Sequence, residues 1–476
     1  MTDPSTTTAP PIVEHPRLTV IGTGYLGATH AVCMAALGFD VLGVDVDENK
    51  VASLNAGVVP FFEPGLPEKL GETLATGRLR FTTDFDEAAR FGDVHFVCVG
   101  TPQAAGSTAA DMRFVDSAFT ELAKRIDRKA LLVGKSTVPI GTAERLTELI
   151  AKVSPAGREL ELAWNPEFLR EGFAVQDTLH PDRLVFGVAS KWAEQQLGAA
   201  FRPILENGTP HIVADLQTSE LVKVAANSFL ATKISYINAM AEVCEATGAD
   251  VNLLASALAY DSRIGGRFLK PGLGFGGGCL PKDIRAFAHR AEELGVGQAV
   301  AFLHEVDDIN NRRRLRTVDL IRELAGGDLA GQRVAALGAA FKPNSDDVRD
   351  APALDVARML YLEGAIVTVY DPEANKNAHS SYPDLIYVDS LEAAVEDADV
   401  VALLTEWQEF RDADPAYLGE LVARRNLVDG RHAMDADDYR AKGWEYRALG
   451  RPAGRGTVAL VSDARDEVGQ PAALPA

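Results

Sequence analysis

Short apolar runs rich in β-branched residues alternate along the chain with stretches whose apolar positions recur every three or four residues. LTVIG from Leu18, VLGVDV from Val41, VHFVCVG from Val94, ALLVGKS from Ala130 and ELAWNP from Glu161 read as successive buried strands. Helical spacing at Ala28–Leu37, Glu87–Arg90 and Val115–Ile126 falls between them. Alternation of that kind predicts a parallel sheet with crossover helices. From about residue 215 the pattern changes. Thr218 to Gly248 is one long helical run with no Pro or internal Gly, and Gly248 suits its C-terminal cap. More helix is expected at Val251–Ala259, Asp283–Leu294 and Val300–Leu324. A second alternating region follows, with QRVAALG, AIVTVYD, DVVALLT and NLVDG as strands. The expected fold is α/β: two Rossmann-like doubly wound domains, 17–212 and 323–449, joined by a central helical region with one long helix, 213–322. Residues 1–16 and 450–476 are rich in Pro, Gly and Ala without apolar periodicity and are expected to be disordered tails.

Composition narrows the class. Lys and Arg total 47 against 68 Asp and Glu, for a net charge of −21 at pH 7. An acidic surface repels nucleic acid and anionic membranes, yet a local basic site can still hold a small anion. Cys33, Cys98, Cys244 and Cys279 lie far apart with no CxxC pair. That argues against a disulfide framework or a thiolate metal site and fits a reducing compartment. The N-terminal MTDPSTTTAPPIVEHP has no basic segment leading into an apolar core, so no secretory signal is expected. Leu18 to Val44 is the most apolar stretch, but Gly22, Gly24, His30 and Asp40 interrupt it, and it parses as strand, turn, helix, strand. A cytoplasmic protein without membrane insertion is expected.

The strongest local signal is Gly22-Thr23-Gly24-Tyr25-Leu26-Gly27, directly after LTVI and opening a helical pattern. The first Gly permits a tight turn, the second lets backbone approach a pyrophosphate, and the third lets helix and strand pack closely. Asp45 closes the next strand, where a carboxylate accepts ribose hydroxyls, and no Arg follows it at once, which favours NAD over NADP. The run GFGGGCLPKD, Gly274 to Asp283, implies unusual backbone angles or a close ligand. It puts Cys279 just outside the positive end of a helix with Lys282 nearby. Both features favour a thiolate, making Cys279 a candidate nucleophile. The other three cysteines sit in apolar patterns and read as inert packing. Lys223 and Asn227 stand four apart on one helical face, either as solvated side chains or as polar groups that a site would satisfy. KSTVPIGT (Lys135–Thr142) and WNPEFLREG (Trp164–Gly172) end strands at the edge where open α/β sheets bind ligands. Glu167 and Glu171 in the second fit a solvated helix face equally well. LGAAFKPNSDDVRDAP sets Gly338, Lys342 and Arg349 after a strand, as phosphate-binding cations or as an ordinary strand–loop–helix joint.

Taken in order, GTGYLG with Asp45, GTP at Gly100–Pro102, KSTVP, NPEFLREG, HPDR, LVKVAANSFLATKISYIN, GGRFLKPGLGFGGGCLPKD and AFKPNSDDVR resemble the nucleotide-sugar dehydrogenases, in their UDP-glucose branch, over residues 17–435. The resemblance implies an NAD-dependent four-electron oxidation of a UDP-sugar primary alcohol to a carboxylate. It makes Cys279 the nucleophile that captures the aldehyde as a thiohemiacetal and then carries a thioester. It assigns Lys223, Asn227 and Asp283 to the reacting oxygens and protons, Glu167 to thioester hydrolysis, and Thr137 to positioning a water. Phe168, Leu169, Glu171, Arg263, Lys270, Phe275, Gly276 and Lys342 are implied UDP-sugar contacts, with Lys223 and Asn227, and Arg263 is implied to reach in from a neighbouring subunit. On the cofactor side it implies Gly22, Gly24, Tyr25, Leu26, Gly27, Asp45, Lys50, Thr101, Thr137, Glu171 and Arg349. One departure is Gly278, where many relatives carry Ser. Two oxidations at one carbon need a covalent tether, which is coherent with a cysteine at this loop.

Three rival readings share these features. One is the same chemistry on GDP-mannose or a UDP-N-acetylhexosamine, since sugar choice depends on few contacts. Another is a two-electron Rossmann dehydrogenase, which leaves Cys279 and the third domain without a role. The last is a non-catalytic nucleotide sensor, against which the set Lys223, Asn227, Cys279 and Asp283 weighs. A central helix this apolar must bury more than one face, so a homo-oligomer with an interface along it is expected.

Overall fold

The computed structural model describes residues 12–452, so 1–11 and 453–476, most of the two expected tails, lie outside the described residues. The first sheet has eight strands: β1 (Leu18–Ile21), β2 (Val41–Val44), β3 (Leu79–Thr82), β4 (Val94–Val97), β5 (Ala130–Gly134), β6 (Leu160–Trp164), β7 (Leu184–Val188) and β8 (His211–Ala214). Their order is β3-β2-β1-β4-β5-β6-β7-β8. The pairs are parallel except β6 with β7, which is antiparallel. β1, β2, β4 and β5 are buried throughout, as strands covered by helices on both faces must be. Two apolar clusters, one on each face, carry that burial.

The second sheet has six strands: β9 (Arg333–Leu337), β10 (Ile366–Tyr370), β11 (Ile386–Tyr387), β12 (Val400–Leu403), β13 (Asn426–Asp429) and β14 (Glu445–Ala448). They run parallel in the order β11-β10-β9-β12-β13-β14 around a separate core. The strands that apolar runs alone do not flag are mostly edge or near-edge elements. β3 alternates buried and exposed residues, β8 has no buried residue, and β11 spans only two residues.

Between the sheets runs the spine helix, Leu216–Thr247. Asp215 caps its start by accepting from the Thr218 N–H at 2.6 Å, and Gly248 ends it with φ 75°. β7 meets the spine so closely that a Cβ on Gly187 would lie 2.0 Å from Ser219 Oγ. The return helix Phe302–Ala325 packs along the spine. Arg313 and Arg316 on it reach Glu245 at 3.1 and 2.8 Å, and Glu245 also accepts from the Gly450 N–H at 2.8 Å, fastening the end of the second domain to the spine. Loops that follow the C-terminal ends of strands in both sheets meet, as Ser345 donates to Glu171 at 3.2 Å. Leu273 N–H donates to Gly430 O at 2.8 Å, and Gly172 backs onto Asn344 so tightly that a Cβ would sit 2.5 Å from its carbonyl oxygen.

Candidate active site

The GTGYLG turn forms a cradle. Gly22 has φ 86°, and a Cβ on Gly27 would lie 1.8 Å from Gly22 O, so only glycine fits both places. Gly24 caps the helix Tyr25–Ala36 without a side-chain bond, leaving the first N–H groups open, and a Cβ there would meet nothing. At the end of β2, Asp45 Oδ2 accepts from Thr23 N at 2.8 Å and from Lys50 Nζ at 2.9 Å. Burial pushes Asp45 up, but Lys50 and the backbone donors outweigh it and hold the carboxyl below its ordinary value. An uncovered helix start beside a fixed, ionised carboxylate fits a dinucleotide with free ribose hydroxyls. The GTP turn after β4 and the KSTVP turn after β5 are joined by Thr101 Oγ1, which donates to Thr137 O at 2.9 Å. Both threonines line an open cleft with Lys282 and Asp283.

The spine helix sends three buried polar side chains to one side. Lys223 Nζ lies 2.9 Å from Glu167 Oε1, and Asn227 Nδ2 donates to Asp283 Oδ2 at 2.7 Å. Glu220, one turn earlier, accepts from Gly141 N at 2.7 Å and Ala143 N at 2.6 Å. Burial pushes the Glu220 carboxyl up to about 7 against those two donors. Burial alone would depress the Lys223 ammonium, but Glu167, Cys279 and Asp283 outweigh it and hold the group above its ordinary value. Glu167 Oε2 also accepts from Leu169 N at 2.9 Å, and the Phe168 ring lies 5.6 Å from Lys223 Nζ and 3.9 Å from the Arg183 guanidinium. The solvated alternatives for Lys223, Asn227 and Glu167 therefore do not describe this molecule.

Cys279 caps the helix Leu280–Glu293, with Pro281 in its first turn. The residue is exposed at the head of that helix, whereas the other three cysteines are buried. The expected thiolate is not what the site favours. Although the residue as a whole is exposed, the protein packed around its sulfur, then Glu167 and Asp283, push the thiol up to about 12, against Lys223 and Lys282. The cations meant to lower it are already neutralised: Lys282 Nζ is 2.5 Å from Asp283 Oδ1, and Lys223 is paired with Glu167. In the ligand-free site these surroundings favour the neutral thiol over the thiolate.

The glycine loop takes its shape from the second domain and the return helix. Asn310 Oδ1 accepts from Phe275 N at 2.8 Å and its Nδ2 donates to Phe275 O at 2.9 Å, while Arg431 donates to Gly274 O at 3.0 Å. A Cβ on Gly276 would lie 2.2 Å from Asp350 O, and one on Gly278 would lie 2.2 Å from the Arg349 guanidinium carbon. Gly278, the departure from Ser, thus makes room for Arg349. That arginine pairs with Asp347 at 2.6 Å and reaches Glu171 at 3.4 Å. Burial and Asp347 push Glu171 up to about 7, and burial depresses Lys342 despite Glu171 and Cys279. Arg263 and Lys270 stand apart from this cluster. Arg263 is exposed and bound to Asp261 at 2.6 Å, and Lys270 is exposed on the approach to His432.

Sequence reasoning missed Glu63, Glu220, Asn310 and Asp347. Glu220 had a legible signal, since it shares the Lys223–Asn227 face at helical spacing. The others act through loops or across domains, where no periodicity reports them.

Residues 16–205 match the UDP-glucose/GDP-mannose dehydrogenase family NAD binding domain, 217–312 its central domain and 335–436 its UDP binding domain. A UDP-glucose 6-dehydrogenase of Rhizobium meliloti is 40% identical over 92% of this chain and 100% of its own length. One from Bacillus subtilis is 38% identical over 93% of this chain and 94% of its own. A UDP-glucose dehydrogenase from Pyrobaculum islandicum superposes with a TM-score of 0.84 at 36% identity, covering 92% of this chain and 98% of that one. A UDP-D-ManNAc dehydrogenase from Pyrococcus horikoshii gives 0.80 at 27%, covering 91% and 99%.

The neutral thiol yields a test. Glu167→Gln removes a negative charge and releases Lys223, and both changes favour the thiolate. Alkylation of ligand-free protein by iodoacetamide at pH 9 should therefore quicken by roughly threefold for each unit the Cys279 pKa falls, the gain in thiolate being partly offset by its lower nucleophilicity. A rate equal to or below that of the unaltered protein contradicts the electrostatic account.

Proposed function

The chain belongs to the UDP-glucose/GDP-mannose dehydrogenase family, and from that premise we infer that it catalyses the NAD-dependent oxidation of UDP-glucose to UDP-glucuronate. The observation that carries the reading is the clustering of Lys223, Asn227, Asp283 and Glu167 around Cys279, beside the glycine loop that the second domain shapes. The dinucleotide belongs on 17–212, held by Gly22, Gly24, Gly27, Asp45 and Lys50. The UDP half of the substrate belongs between the glycine loop and 323–449, near Lys342. NAD, when bound, supplies the acceptor for hydride, two per sugar.

The chain's own groups handle the rest. Lys223 and Asn227 stabilise negative charge on the C6 oxygen as it develops, an effect worth about 10²–10³ in rate per donor at comparable sites. The thiol of Cys279 adds to the aldehyde carbon: a C–S bond forms, the carbonyl π bond opens, and the thiol proton passes to the former carbonyl oxygen. No free thiolate is required overall, which suits a thiol resting near 12. Loss of the second hydride from that carbon, with the hydroxyl proton released to solvent, leaves a thioester. A water held near Thr137 attacks it, Glu167 takes the water's proton, the C–S bond breaks and the sulfur regains a proton. In total, alcohol, water and two NAD give carboxylate, two NADH and three protons.

A homodimer belongs to the same proposal. Phe229, Tyr236 and Val243 recur every seven residues on one face of the spine helix and are 66%, 50% and 52% exposed, an apolar stripe that a second copy would cover. The exposed Arg263 is then free to enter the neighbour's site. Cytoplasmic residence is supported by four unpaired cysteines. No described helix is long and apolar enough to cross a membrane.

Two NADH should appear for each UDP-glucose consumed, followed by absorbance, with UDP-glucuronate as the product. One NADH per sugar, or no turnover of UDP-glucose in a panel of nucleotide sugars, contradicts the reading. Sedimentation equilibrium should give a dimer or a multiple of it, with Tyr236→Asp weakening association by tenfold or more. A monomeric unaltered protein would remove the interface.

A further inference from the structure

Glu63 is a buried carboxylate, 2% exposed, that the chemistry above does not use. Among the described residues it has no ion pair. Its charge is met instead by hydrogen bonds from two segments. The Tyr25 hydroxyl donates to Oε2, Gly172 N donates to Oε2 at 2.7 Å, and Ala174 N donates to Oε1 at 2.7 Å. Gly172 N also reaches the Tyr25 hydroxyl at 2.9 Å, and the Tyr25 ring lies 4.9 Å from that of Phe61. Tyr25 is the first residue of the helix whose start forms the dinucleotide cradle. Gly172 directly follows the Phe168–Glu171 turn.

A carboxylate accepts and cannot donate, so all these donors need it and no neutral side chain of that shape replaces it. Burying an acid without a cation is costly, and a fold that only needed filling there would use an apolar residue. The loop holding Glu63 also touches the second domain, where the Phe62 N–H bonds to Asp346. The cradle, the Phe168–Glu171 turn and the second domain are thus tied through one loop.

We propose that Glu63 is a positioning residue that couples occupancy of the dinucleotide cradle to ordering of the UDP-sugar turn, so that each ligand tightens the other. The inference rests on the functional reading above, which places those ligands on these two segments. Coupling between sites is reciprocal and ordinarily amounts to about 5- to 150-fold.

The test is calorimetric and needs no turnover, because NADH accepts no hydride. NADH affinity is measured with and without saturating UDP-glucose. The unaltered protein should bind NADH at least about fivefold more tightly with the sugar present, and in Glu63→Gln that ratio should fall to within about twofold of one. Independent binding in the unaltered protein, or full coupling in Glu63→Gln, overturns the inference and leaves the functional reading standing. Should Glu63→Gln fail to fold, Tyr25→Phe decides: a diminished ratio supports the inference and an undiminished one overturns it. If UDP-glucose does not bind the unaltered protein at all, both fall.

Discussion

The ion pair between Lys223 and Glu167 is the contact around which the site is organised. Its side chains are only 7% and 13% exposed, whereas most of the arginine pairs on the surface keep at least one partner in water. An exposed pair contributes about 0–1 kcal/mol, and removing one member of a buried pair costs about 3–5 kcal/mol. The buried pair joins the spine helix to the turn after β6. It also limits the positive charge left to offset burial, which is the main influence pushing the Cys279 thiol up.

The same helix repeats the device. Glu220, Lys223 and Asn227 occupy successive turns of one face and take hold of the turn after β5, the turn after β6 and the Cys279 helix. A helix interior this rich in polar groups is stable only if every group has a partner, and the partners here come from three distant segments. The spine is thus less a connector than a ruler that sets distances between loops. The second domain supplies the remaining constraint through Arg431 and Asp350, which press on the glycine loop where side chains would not fit.

Much of this was legible from residues alone. Alternating apolar runs located the central strands, the uninterrupted run to Gly248 located the spine, and GTGYLG with Asp45 located the cradle because turn, helix and acid have fixed spacing. Edge strands such as β8, which buries nothing, leave no apolar run to read. The surroundings of Cys279 are harder to read from sequence: Lys282 is nearby in the chain, but its ammonium is paired with Asp283. Glu63 was invisible because its meaning lies in Gly172 and Ala174, more than a hundred positions away.

In the proposed reaction these constraints serve one sulfur atom, which stays bonded to one carbon between two oxidations. The most direct measurement is mass spectrometry of the Cys279 peptide from Glu167→Gln protein quenched during reaction with UDP-glucose and NAD. The account predicts an added UDP-glucuronyl group on Cys279, accumulating because hydrolysis of the thioester is slowed. An unmodified Cys279 in protein that is consuming substrate would contradict it.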